Sequence, residues 1–169
     1  MNDDSSHPIE VAVEAEAWQT AVTDPIGLVR STIALALAMA APEALRDAQV
    51  SVLLTDDARI RLLNHQWRGK DKATDVLSFP SFDPDLPLPP GCRAELGDIV
   101  VSIETVRRDA DEAGLPLDQH VRHMVVHGVL HLLGMDHETG EADALAMERL
   151  EAQILARFGI KDPYREAVQ

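Results

Sequence analysis

The chain has 169 residues, enough for one domain with a full hydrophobic core and too few for two of ordinary size. A content of 46% apolar and 26% charged residues is typical of a soluble globular protein, and the net charge of −14 argues against broad, sequence-independent binding of nucleic acid, so any such role needs a local basic patch. The single cysteine, Cys92, excludes an intrachain disulfide and favours a reducing compartment.

The N-terminus does not resemble a targeting segment. Met1–Glu10 has neither the basic nor the apolar region of a signal peptide, and the longest apolar stretch, near Ile33–Ala41, is too short for a membrane span. We therefore expect a cytoplasmic protein without membrane contact, in which residues 1–169 form a single domain and residues 1–8 are disordered.

Local patterns predict three strands and two helices in the first half of the chain. Alternating or β-rich apolar runs mark the strands, and an acidic N-cap before a periodic apolar stripe marks each helix. In chain order these elements are a strand at Ile9–Ala15, a helix from Asp24 and Pro25 to before Pro42, a strand at Gln49–Thr55, a helix capped by Asp56 or Asp57 and running through Trp67, and a strand at Asp75–Phe79.

The second half opens with a proline-rich loop at residues 80–94, which is longer than most connections. After it we predict a strand at Glu95–Ile103, a helix from about Glu104 to Gly114, a buried central helix at Asp118–Leu133, and a final helix at about Glu141–Phe158 that turns Leu145, Leu150, Ile154 and Leu155 inward. This order predicts the α+β class, with a single layer of mixed sheet of about four strands packed with about five helices.

The central helix carries the strongest functional signal. His127 and His131 are spaced i, i+4 and so lie on one helical face, near enough to share one ion. Gly134 can turn the chain back through a positive φ, and His137 follows three residues later. The spacing predicts one catalytic metal ion, taken to be zinc, held by His127, His131 and His137, although the same ligands would accept nickel or cobalt.

This spacing is that of the long metalloprotease motif with three zinc histidines. Proteases place a glutamate directly after the first histidine as general base, whereas this chain has Gly128. The change weakens a peptidase interpretation. The frame of three histidines with an open fourth position is unaffected and suits metal-activated water.

Other polar residues of this segment have two open interpretations. His120 and His123 continue the histidine stripe toward the helix start, where they line a cleft or bind phosphate, or merely lie on a partly wet face. Asp136 either orients a ligand imidazole or caps the turn.

A local basic patch lies earlier in the chain, where Arg68, Lys70 and Lys72 follow a helix that carries Arg59 and Arg61. A phosphodiester needs positive charge beside the reacting centre, and arginine offers a forked donor pair for phosphate. The alternative is an ordinary solvated face held by salt bridges.

Three blocks of sequence, at residues 63–80, 96–102 and 123–137, resemble the YbeY family of bacterial rRNA-maturation endoribonucleases, and the likeness extends from about Val50 to Tyr164. The resemblance implies an α+β domain with a mixed sheet and one zinc ion at the three histidines. It also implies a single-strand-specific endoribonuclease that processes rRNA, notably the small-subunit 3′ end, and acts in ribosome quality control, with precursor rRNA and the ribosome or its associated proteins as partners. Arg68 matches a family arginine regarded as functionally important, and we assign Arg68 and His127 to catalysis.

The predicted chemistry is metal-assisted hydrolysis, in which hydroxide or an RNA 2′-hydroxyl attacks phosphorus. With no glutamate after His127, two possibilities stay open: metal hydroxide suffices without a protein base, or Asp98, Asp136 or Glu138 assists as the base. Two alternatives also stay open: a metal-dependent hydrolase of another bond, such as a peptide, and a non-catalytic ribosome-assembly factor whose structural zinc takes Cys92 or His123 as a fourth ligand.

Overall fold

The computed structural model of the protein describes residues 7–136 and 138–164, which contain one sheet of four strands and six α-helices. The strands are β1 (Ile9–Val13), β2 (Gln49–Thr55), β3 (Val76–Pro80) and β4 (Glu95–Ser102). The helices are α1 (Ala17–Ala21), α2 (Pro25–Ala40), α3 (Asp57–Arg68), α4 (Ile103–Ala113), α5 (Leu117–Leu132) and α6 (Glu141–Ala156), with a 3-10 helix at Glu43–Leu45. The predicted α+β class is confirmed, and α1 is the helix that the sequence patterns did not indicate.

The sheet is mixed, with strand order β1-β2-β4-β3. β1, β2 and β4 run parallel, and β3 pairs antiparallel to β4 at the edge. Alternate residues of each strand point to opposite faces. Val52 and Ile99 therefore join the main core with α2 and α5, whereas Val100 and Leu77 pack on the other face with Ile60 of α3.

Two of the predicted helix starts are confirmed by their capping bonds. The Asp24 carboxylate accepts a hydrogen bond of 3.0 Å from the Gly27 amide, and the Asp56 carboxylate accepts one of 3.0 Å from the Arg59 amide. Each bond satisfies an amide that the first helical turn leaves without a partner.

The central helix α5 packs against α2, α4, α6 and two strands. This agrees with the buried position predicted from its mostly apolar residues. The helix lies close to the sheet at Gly128, where a Cβ atom would lie 3.1 Å from Ile99 Cδ1 and 3.2 Å from Ser78 Oγ. The absence of a side chain at Gly128 therefore lets α5 lie directly on β3 and β4.

The inward face of α6 differs from the prediction. Leu145 is 46% exposed, and the buried stripe is Met147, Glu151, Ile154 and Leu155, with Leu150 partly buried. The spacing i, i+4, i+7, i+8 from Met147 defines one helical face, from which Leu145 points away. The prediction for Leu145 was wrong because an acidic residue, Glu151, holds a core position.

Residues 81–94 contain neither helix nor strand, in agreement with the loop predicted there. The expectation of disorder at residues 1–8 falls mainly on residues 1–6, which lie outside the described part, and the Pro8 carbonyl accepts a hydrogen bond from the Val50 amide at the sheet edge. None of the helices described in residues 7–164 has the length and apolarity needed to cross a bilayer.

Candidate metal centre and cleft

An open cleft of about 600 Å³ lies between the end of α5, the start of β3 and the turn that follows α5. Its lining includes Arg68, Asp75, His127, His131, Asp136 and Glu138. The structure thus brings the first two predicted metal ligands and the predicted catalytic arginine to one cavity.

The histidine pair has the geometry of two ligands of one ion. The Nε2 atoms of His127 and His131 lie 3.0 Å apart, and the ring centroids are separated by 4.5 Å. Two nitrogens at about 2.0–2.1 Å from a tetrahedral ion are a little over 3 Å apart, so small rotations of the rings would admit one. The third predicted ligand, His137, lies outside the described residues, although its neighbours Asp136 and Glu138 both line the cleft.

A buried carboxylate lies behind the pair. Glu151 of α6 is fully buried, and its Oε1 lies 2.6 Å from Nδ1 of His127. Its Oε2 lies 3.2 Å from Nε2 of His123 and accepts a hydrogen bond from the Tyr164 hydroxyl. These contacts use both oxygens of the carboxylate and leave Nε2 of His127 facing its partner histidine.

Electrostatics decide where the proton of His127 lies. Burial by itself would raise the pKa of Glu151, but hydrogen bonds from His123, His127 and Tyr164 outweigh burial and hold the pKa at about 2. An ionised carboxylate accepts hydrogen bonds only, so it retains a proton on Nδ1 of His127 and presents the Nε2 lone pair to a metal. Burial and the Glu151 charge raise the pKa of Tyr164, which keeps its hydroxyl protonated.

The residue patterns of the sequence did not predict roles for Glu151 and Tyr164. A signal for Glu151 was present, because it is the polar member of the apolar stripe of α6. His123 neither lines the cleft nor lies on a wet face, because its side chain is only 12% exposed and contacts Glu151. His120 is buried as well, with its ring edge-to-face against that of His123 at 6.1 Å.

The remaining predicted residues differ in their position relative to the cleft. Asp136 caps the turn, accepting a 2.8 Å hydrogen bond from the Glu138 amide. Of the three candidate bases, Asp136 and Glu138 line the cleft, whereas Asp98 lies on β4 away from its lining. Cys92 is exposed in the proline-rich loop and does not line the cleft.

The predicted basic patch is divided in the structure. Arg61 forms a two-bond pair with Asp71, at 2.8 and 3.2 Å, and Arg59 lies 3.5 Å from Glu14. These two arginines therefore fit the salt-bridged interpretation. Arg68 is the only arginine or lysine among the described residues that line the cleft.

A second group able to hold a metal ion is formed by Asp75, Asp109 and His120, whose ligand atoms all lie within 4.8 Å of one another. This group shares no residue with the histidine pair.

An α+β domain whose open cleft holds a histidine pair backed by a buried carboxylate is typical of metalloenzymes. The family model described as endoribonuclease YbeY matches residues 12–159, and the chain belongs to this family. It is 48% identical over 157 residues to endoribonuclease YbeY of Rhodopseudomonas palustris strain BisA53, covering 93% of this chain and 90% of the relative. The identity is also 48% over 158 residues to endoribonuclease YbeY of Methylocella silvestris, covering 94% and 86%.

A solved structure supports the fold alone. The solution structure of a Thermotoga maritima protein aligns with 94% of this chain and 99% of its own, with a TM-score of 0.55 at 22% sequence identity.

Proposed function

We propose that the protein is a zinc-dependent, single-strand-specific endoribonuclease, formed by one catalytic domain, that matures rRNA at the small-subunit 3′ end and acts in ribosome quality control. Membership of the endoribonuclease YbeY family supports RNA as the substrate. The observation that carries metal dependence is the pair of Nε2 atoms 3.0 Å apart in the cleft, with Glu151 behind His127.

The proposed ligands are His127, His131 and His137, which would hold one zinc ion and leave a coordination position open. The described part of this set fits such an ion, because two imidazoles converge and a buried carboxylate lies against Nδ1 of one of them. A bound zinc ion would supply Lewis-acid activation of the attacking oxygen and of the phosphoryl group.

The chain's own residues would supply the remaining chemistry. Arg68 would donate from its guanidinium to the non-bridging phosphate oxygens, where negative charge grows as the phosphodiester reacts. The carboxylates of Asp136 and Glu138 line the same cleft and are the candidate acceptors of the proton that leaves the attacking water or 2′-hydroxyl.

Delivery of the substrate matters because the chain carries a net charge of −14. With one cationic side chain from arginine or lysine among its described lining residues, the cleft offers little general attraction for RNA. We therefore propose that the ribosome or a ribosome-associated protein in the cytoplasm presents the single-stranded segment to the cleft.

The test compares cleavage of a single-stranded RNA, its duplex form and casein by the wild type, His131→Ala and Lys70→Ala. We expect cleavage of the single strand alone, abolished by chelation and by His131→Ala, restored to the chelated wild type by zinc, and retained by Lys70→Ala, which alters an exposed cation outside the cleft lining. Proteolysis that is lost in His131→Ala, without RNA cleavage, would instead establish a peptidase. Zinc binding without hydrolysis, even of rRNA presented on the small ribosomal subunit, would instead favour the non-catalytic assembly factor.

A further inference from the structure

Three side chains from different elements converge beside the cleft. Asp75 lies immediately before β3, Asp109 on α4 and His120 on α5, and their ligand atoms all lie within 4.8 Å of one another. Asp75 also lines the cleft, so the cluster borders the cavity without including either cleft histidine.

His120 is the member that needs an explanation. Its residue is 8% exposed, and neither ring nitrogen has a hydrogen-bond partner among the described residues. Burial, assisted by the neighbouring His123, lowers the pKa of His120 and so favours the neutral ring. A buried neutral imidazole with an unused lone pair beside two carboxyl groups has the chemistry of a metal ligand.

Among the described residues, the two carboxyl groups are only weakly compensated: the charge of Arg108 is the smallest of the influences on the pKa of Asp109. Burial and then the negative charge of Asp75 raise the pKa of Asp109, and the two side chains hydrogen-bond to each other. The neighbouring cation on α4, Arg108, lies 3.5 Å from Asp57. Two carboxylates in contact repel when both are ionised, and a divalent cation between them would remove that repulsion.

Asp75 is already oriented by its surroundings. Its Oδ1 accepts hydrogen bonds from the Val76 amide at 2.7 Å and from the Thr74 hydroxyl at 3.3 Å. Bonds of this kind fix a ligating carboxylate before the ion arrives. Ligand atoms on opposite sides of an ion, with bonds of about 2.1–2.4 Å, are roughly 4.2–4.8 Å apart. The ligand atoms of Asp75, Asp109 and His120 therefore need to move little to bind one ion.

We propose that Asp75, Asp109 and His120 form a second divalent-metal site, separate from the cleft histidines. One imidazole and two carboxylates suit a first-row ion of intermediate hardness, such as Mn²⁺. The ion joins β3, α4 and α5 and neutralises a carboxyl pair at their junction, so it stabilises the wall of the cleft.

The test is a titration with Mn²⁺, followed by electron paramagnetic resonance, of full-length protein that has been stripped by a chelator and given one equivalent of Zn²⁺. We expect one Mn²⁺ ion bound per chain and a higher melting temperature with the ion than without it. Asp109→Asn should weaken binding at least tenfold and abolish the rise in melting temperature. Asp111→Asn, which alters an exposed acid of the same helix, should bind as the wild type does. His131→Ala should also keep the Mn²⁺ site.

A measurement on the wild type alone keeps the proposal testable if Asp109→Asn fails to fold. Bound Mn²⁺ broadens nearby proton resonances, so substoichiometric Mn²⁺ should broaden the ring signals of His120 before those of His131. No bound Mn²⁺, equal affinity in folded Asp109→Asn, or broadening of His131 first would each overturn the site, whatever the enzyme does to RNA.

Discussion

Nδ1 of His127 lies 2.6 Å from Oε1 of Glu151, and this contact joins α5 to α6 across the core. Because Glu151 is fully buried and ionised, it orients the imidazole and makes its Nε2 a better metal ligand. We predict that Glu151→Gln, which keeps the volume and removes the charge, weakens zinc binding about 10–100-fold. Competition with a chromophoric chelator measures the effect.

Tyr164→Phe is the matched control for Glu151→Gln. It removes one hydrogen bond to the same carboxylate and leaves the contact with His127 in place. We expect a change in zinc affinity of less than about threefold, in keeping with the modest net free energy of one such bond. Wild-type affinity in Glu151→Gln would show that the carboxylate serves packing alone.

Arg68 should affect turnover without affecting the fold. Its side chain is exposed at the end of α3 and lines the cleft, so Arg68→Ala should leave the melting temperature and zinc content unchanged. Loss of the donor to the reacting phosphate should lower kcat about 10²–10³-fold. Single-turnover cleavage of a labelled RNA gives the comparison.

The control for Arg68→Ala is Arg68→Lys, which keeps the charge and loses the forked donor. An intermediate rate is expected. Equal rates in Arg68→Ala and the wild type would remove Arg68 from the mechanism and leave the described cleft without an arginine or lysine in a catalytic role.

Gly128 offers a direct test of why this chain departs from the protease motif. A Cβ atom there would come within 3.1–3.2 Å of Ile99 and Ser78, so Gly128→Glu would press its side chain against β3 and β4. We predict a loss of unfolding free energy of about 3 kcal/mol or more, from overpacking and burial of an unpaired charge, and no gain of peptidase activity. Denaturant unfolding and a casein assay measure the two effects, and a stable, proteolytic variant would refute this packing argument.

Asp57 provides a pH-dependent contribution to stability. Its Oδ1 accepts hydrogen bonds of 2.6 Å from both Ser102 and Thr105. Burial opposes ionisation, but these bonds and the charge of Arg108 lower the pKa of Asp57 below 3.8. A lowered pKa in the folded state means stabilisation that is present above about pH 4 and lost as the pH falls through the folded value.

Asp57→Asn should therefore cost about 1–3 kcal/mol of unfolding free energy at pH 7, and the difference from the wild type should shrink below pH 4. Asp111→Asn, at an exposed position, should have almost no effect at either pH. Urea unfolding at pH 7 and pH 3 measures both, and a difference that does not change with pH would contradict the role of the charge.

Local patterns predicted the features that depend on neighbouring residues in the chain. The bounds of β2 and the caps of α2 and α3 follow from apolar alternation and from side chains that bond amides three residues away. The i, i+4 spacing likewise placed His127 and His131 on one face. What local patterns could not supply was pairing between distant elements.

Three results show this limit. Glu151 contacts His127 only because α6 packs on α5. Because Glu151 is acidic, it did not count toward the apolar stripe of α6, and the predicted inward face was displaced toward Leu145. Arg61 does not contribute to the predicted basic patch because the carboxylate of Asp71, ten residues later, pairs with its guanidinium. Asp109 and His120 come together only when α4 and α5 pack beside β3.

The close contact between Gly128 and the sheet restricts the motion of the helix segment that bears His127. The residue after His127 rests on β3 and β4, so the helix segment that bears the ring cannot open without separating the core from the sheet. This segment therefore cannot unfold locally. Its backbone amide hydrogens should exchange with solvent only when the whole protein unfolds. The face of α5 that bears His127 thus has the protection of the most stable part of the molecule, whereas the Arg68 side chain in the same cleft is exposed.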